Sequence, residues 1–92
     1  MKPYVKLYFD YFGIQYDESG WHDFIRCEIC GSEAKDIHHV DARGMGGSKS
    51  KDKIENLMAV CRNCHEKFGD KREYKTFLKD THQKWMQSKK QK

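Results

Sequence analysis

The cysteines and histidines that could bind a metal or move a proton fall into three tight groups. Cys27 and Cys30 form one Cys-x-x-Cys pair and Cys61 and Cys64 a second; His38 and His39 stand as a doublet between them, and His65 follows Cys64 directly. Four thiolates in two short loops are what a tetrahedral zinc site needs. That uses every cysteine and leaves three imidazoles beside the metal scaffold but not required by it. Imidazole exchanges a proton near neutral pH and ligates divalent ions, so these rings are the candidates for chemistry.

Short elements must position them. Asp36 to Val40 (DIHHV) reads as a strand, whose two-residue period sends Ile37 and His39 to one side and His38 and Val40 to the other. Leu57 to Val60 (LMAV) reads as its antiparallel partner across a Gly/Ser/Lys-rich loop at 41–53, too rich in breakers for regular structure. This second strand leads into Cys61, and a helix is expected to begin at about Arg62 to Cys64. Phe24 to Gly31 (FIRCEICG) is a zinc knuckle, with Gly31 free to turn tightly after the second cysteine.

The flanks are simpler. Val5, Tyr8, Phe9 and Phe12 recur at helical spacing, with Pro3 suited to a first turn and Gly13 to a stop. Aromatics also favour strands, and in either form these rings are core material over the zinc module. Residues 15–23 form a polar connection. Gly69 or Asp70 should break the helix that follows the second strand. A final helix over about 71–88 then places Tyr74, Phe77, Leu78, Trp85 and His82 on one face.

A chain of 92 residues, 37% hydrophobic and 35% charged, makes one domain with a modest core, for which a metal staple is a natural support. Two disulfides are the alternative use of the cysteines. The start MKPYVKLYFDYFG has no apolar leader and no cleavage site, and no stretch approaches the roughly 18 apolar residues of a membrane span. The expectation is therefore a cytoplasmic protein, where paired Cys-x-x-Cys motifs bind metal. Net charge is +4, unevenly spread: residues 1–36 carry four basic against seven acidic residues, residues 37–92 fourteen against seven, and 71–92 within them eight against two. The half that holds the three candidate histidines is the half that attracts a polyanion.

The residues DIHHV, then Glu55 and Asn56, then CRNCH at 61–65 resemble the HNH endonuclease motif, in its form with two Cys-x-x-Cys pairs holding a structural zinc. The resemblance runs from about Cys27 to Phe68. It implies a small, zinc-stabilised α+β domain with a ββα-metal core and flanking helices. It also implies hydrolysis of DNA phosphodiesters, by nicking or double-strand cleavage, leaving 5′-phosphate and 3′-hydroxyl ends. By the same resemblance His38 and His65 ligate a catalytic divalent ion (Mg²⁺, Mn²⁺, Ni²⁺ or Zn²⁺), His39 is the general base, and Asn56 orients the loop and the base by hydrogen bonds. Strand alternation makes that division sensible, since adjacent side chains point apart. Some relatives carry a further histidine one helical turn beyond the last; here that position is Gly69.

Arg43, Lys49, Lys51 and Lys53, in the loop between the strands, are candidate phosphate contacts that give affinity without sequence information. Arg43 is the best placed, nearest the histidine doublet and able to grip phosphate with a fork. His22 and His82 read as ordinary polar or half-buried residues. Asp36 could hydrogen-bond a ligand imidazole or merely cap a turn. The expected partner is duplex DNA with weak sequence specificity. A homodimer through the aromatic segment, or association with a larger DNA-processing enzyme, is a compatible arrangement, as in the small stand-alone domains of phages. The competing reading is a non-catalytic zinc module that binds nucleic acid through its basic half, which leaves His38, His39, Asn56 and His65 unexplained.

Overall fold

The computed structural model describes residues 2–41, 51–69 and 71–90. Its first element, helix α1 (Pro3–Phe12), has proline in its first turn and ends at Gly13, whose φ of +70° is the left-handed cap that glycine adopts without strain. Of the two forms open to this aromatic segment, the helix is the one adopted. Pro3 and Gly13 punctuate it, and Tyr8 and Phe9 on its inner face are buried.

Strands β1 (Asp36–His39) and β2 (Leu57–Val60) pair antiparallel, with Asp36 opposite Val60, Ile37 opposite Ala59, His38 opposite Met58 and His39 opposite Leu57. Alternation sorts the side chains as the sequence indicates. On one face Ile37, Leu57 and Ala59 pack with Tyr8 and Phe9 of α1 and with Ile25 and Ala34. On the other, Val40, Met58 and Val60 pack with Cys27, Cys61, Cys64 and Leu78. Every residue of β2 is buried, as a central ribbon covered on both faces must be. The aromatic helix therefore covers the sheet face opposite the cysteines.

Helix α2 (Arg62–Phe68) starts directly after β2 and stops at Gly69. A 3-10 turn (Arg72–Tyr74) leads into α3 (Lys75–Lys90), so the last helix begins later and runs slightly further than its sequence pattern suggests. Leu78 and His82 are its buried anchors. Phe77 corrects the expected inner face: it is 43% exposed, one residue round the helix from Leu78, with its ring resting on Phe68 at 5.3 Å between centroids. Among the described residues no helix is long and apolar enough to cross a membrane.

Candidate metal centre and active site

The four cysteine sulfurs lie within 4.8 Å of one another, with Cys30 Sγ 3.6 Å from Cys61 Sγ. Zinc–thiolate bonds of about 2.3 Å in a tetrahedron put sulfurs a little under 4 Å apart, so this cluster is positioned for a zinc ion. The cysteines are free thiols, not the two disulfides weighed as an alternative. Two local devices build the cluster. Gly31, at φ +83°, lets its N–H reach the Cys27 carbonyl at 2.9 Å, closing the first knuckle. Cys61 is the N-cap of α2, its sulfur accepting the Cys64 N–H at 3.3 Å.

The same contacts favour the thiolate, the form that binds metal. Hydrogen bonds from Ser32 bring the Cys30 thiol down to about 6. The Cys64 backbone N–H lowers Cys61. Burial, reinforced by the neighbouring sulfurs, pushes Cys64 the other way, which is the environment a zinc charge would compensate.

His65 lies in the last turn of α2, directly after Cys64, so the cysteine-anchored helix start fixes its position. Its Nδ1 is 3.0 Å from Asp36 Oδ2, a carboxylate that also receives Arg62 Nε at 3.2 Å. A histidine held at Nδ1 by a carboxylate presents Nε2 as its ligating atom. The His38 ring is buried on the same sheet face, 4.8 Å from the His65 ring between centroids. Two adjacent imidazoles, one already oriented, fit a divalent ion that keeps open coordination positions. Among the described residues the four cysteines are the one grouping of three or more metal-ligating side chains.

His39 points to the other face, as alternation requires. Its Nε2 is 2.7 Å from Asp52 Oδ1, and its ring meets the Tyr4 ring at 4.5 Å. Asn56 is buried in a 3-10 turn (Ile54–Asn56) just before β2. Its Oδ1 accepts the Asp41 N–H at 2.7 Å, and its Nδ2 donates to the carbonyls of Asp41 and Lys51, each at 2.9 Å. One side chain thus ties together both described ends of the loop. Lys51 and Lys53 line a groove of about 480 Å³ whose opposite wall is Lys79, Gln83 and Gln87 of α3. Arg43 and Lys49 lie outside the described residues.

This geometry agrees with the comparison to known families. The family model for HNH endonuclease matches residues 27–71. Those residues belong to the HNH endonuclease family. No curated protein and no solved structure matches the chain. The matched HNH core is the two-stranded sheet, α2 and both cysteine pairs; α1 and α3 fall outside it.

Sequence reasoning passed over two features around this HNH core. Asp52 sits in a segment whose composition reads as linker, and only the fold brings it to His39. Glu28, between the cysteines of the first knuckle, looks like a solvated turn residue but is buried. It accepts from the Tyr8 hydroxyl and the Ala59 N–H, and its other oxygen lies 2.7 Å from His82 Nδ1. His82 Nε2 in turn faces the Ile54 carbonyl at 2.6 Å. His82 is therefore fully buried and structural.

Proposed function

We propose that this chain is a metal-dependent endonuclease that hydrolyses DNA phosphodiester bonds, with His39 as general base. The observation that carries the reading is the opposed histidine pair on β1: His38 beside His65 on one face, and His39 paired with a carboxylate on the other. A plain zinc ribbon has no use for three positioned imidazoles.

In this reading His38 and His65 hold the divalent ion, with His65 presenting Nε2 because Asp36 occupies Nδ1. A divalent ion held there would supply positive charge to the phosphodiester as it is cleaved. His39 takes the proton of the attacking water at Nδ1, since Nε2 faces Asp52. The Asp52 carboxylate then stabilises the imidazolium, the role an acidic partner plays beside any histidine base. Asn56 holds the loop ends that carry Asp52 and Lys51. Lys51 and Lys53, joined across the groove by Lys79, meet the phosphate backbone of duplex DNA, which gives affinity with weak sequence preference.

The test is nicking of supercoiled plasmid by the zinc-loaded protein, with Mg²⁺, Mn²⁺, Ni²⁺ or Zn²⁺ supplied in turn. His39→Ala should slow nicking by about 10²–10⁴-fold, the usual worth of general-base catalysis, while DNA affinity and the thermal transition stay close to wild type. The excess of basic residues over 71–92 favours a second reading, a zinc module that grips nucleic acid without cutting it, alone or within a larger phage DNA-processing complex. Tight DNA binding with no nicking under any metal would select it.

A further inference from the structure

Gly69 sits one helical turn beyond His65, the position from which a side chain would lie over the imidazole. Its backbone N–H closes the last turn of α2 on the His65 carbonyl at 2.8 Å. Its φ of −69° and ψ of 145° are open to every residue type, so backbone freedom does not explain the glycine. Space does. A Cβ at this position would fall 2.5 Å from His65 Cδ2, 2.5 Å from the His65 carbonyl oxygen and 3.3 Å from His65 Nε2. Carbon atoms rest about 3.5–4.0 Å apart, so the first two contacts are collisions. The third places the intruding atom beside Nε2, the ring nitrogen that the Asp36 contact leaves open to a ligand role.

Two movements would relieve the collision, and each undoes something the site uses. Rotating the imidazole gives up its bond to Asp36 Oδ2 at 3.0 Å and its place beside His38. Shifting the backbone breaks the Gly69–His65 hydrogen bond that ends α2. We propose that Gly69 is a positioning residue for His65: its bare Cα is the surface on which the imidazole rests, and it holds the centre at two protein ligands. The functional half of this proposal rests on the reading of His38 and His65 as metal ligands; the packing half does not.

A counter-intuitive consequence makes it testable. Gly69→His would place a third imidazole one turn from His65, which on ligand count alone should tighten metal binding. Steric displacement of His65 predicts the reverse. The full-length, zinc-loaded chain is compared as wild type, Gly69→Ala, Gly69→His and Lys71→Met. Lys71 Nζ caps the α2 carbonyls of Glu66 and Lys67, each at 3.1 Å, so Lys71→Met loosens the helix end without touching His65. Two quantities are read: the magnetisation-transfer contact between the Gly69 α-protons and His65 Hδ2 together with the His65 ring shifts, and Mn²⁺ affinity by calorimetry.

Wild type should show the proton contact. Gly69→Ala and Gly69→His should both move the His65 ring resonances and weaken Mn²⁺ binding roughly 10–100-fold, the loss typical when a ligand's supporting contacts are removed. Lys71→Met should change neither. Unchanged ring shifts and affinity in Gly69→Ala, or tighter Mn²⁺ binding in Gly69→His, overturns the proposal, as does an equal loss in Lys71→Met. A wild type that binds no Mn²⁺ overturns the metal-centre reading and the functional half with it, while the ring contact still decides the packing half.

Discussion

At the scale of single residues, the site depends on side chains that satisfy backbone groups as much as on those that could touch substrate. Asn56 is the clearest case. Three backbone groups of the loop ends rely on it, one N–H and two carbonyls. Asn56→Ala leaves them without that partner in a half-buried setting, at about 1–3 kcal/mol of stability by chemical denaturation. Asn56→Asp should be no milder, because a carboxylate accepts from Asp41 N but meets the two carbonyls with repulsion. Both variants should slow nicking, since the loop that carries Asp52 to His39 is released. The motif implied hydrogen bonds from Asn56 to both the loop and the base; among the described residues its bonds run to the loop ends, and Asp52 is the group that faces His39. Asp52 was not legible in the sequence, because a carboxylate in a Gly/Ser/Lys stretch has no periodicity to show where it points. Asp36 was visible as an option, and distance alone decides for it.

At the scale of elements, what sequence reveals follows from how locally each element is specified. Metal chemistry fixes cysteine spacing, and a period of two fixes which histidine faces which side, so the knuckles and the ribbon were readable. The attachment of the flanking helices was not, because it runs through Glu28 to Tyr8 and His82, 20 and 54 residues away. Both His82 nitrogens face oxygen acceptors, which favours the imidazolium paired with a Glu28 carboxylate. Burial works against that charge, but the hydrogen bond and charge of Glu28 prevail, and the His82 pKa is raised. A raised pKa contributes stability that is complete below the ordinary histidine value of about 6.5 and fades as pH rises through the folded value. His82→Leu strands the carboxylate and should cost about 3–5 kcal/mol. Measured by urea unfolding of wild type against a Glu28→Gln, His82→Leu double variant at matched pH, so that zinc affinity largely cancels and no stranded carboxyl titrates, the wild-type advantage should be largest near pH ~6 and shrink toward pH ~9. A difference that grows with pH would contradict the buried ion pair.

At the scale of the whole molecule, two facts constrain each other: the core is small and the charge is lopsided. Three of the four cysteines belong to the hydrophobic cluster on one sheet face, so the candidate zinc site and the core are one structure. A chelator strong enough to strip structural zinc should therefore abolish the cooperative thermal transition. His39→Ala, by contrast, should leave that transition in place, which separates loss of fold from loss of chemistry. The basic excess of 71–92 lies largely on α3, outside the matched HNH core, and α3 supplies one wall of the groove whose other wall carries Lys51 and Lys53. Lys79 is already engaged with Asp41 at 3.2 Å, so a phosphate must compete for it, whereas Lys53 is exposed. If duplex DNA tracks along this groove, each lysine that meets a phosphate adds about 0.9 to the slope of log affinity against log salt. Lys53→Gln should lower that slope by close to one such increment and Lys79→Gln by less. Nicking at saturating DNA should stay nearly unchanged in both, because neither side chain is asked to move a proton. An unaltered slope in the double variant would send the DNA to another face and leave α3 as a purely structural clamp on Glu28.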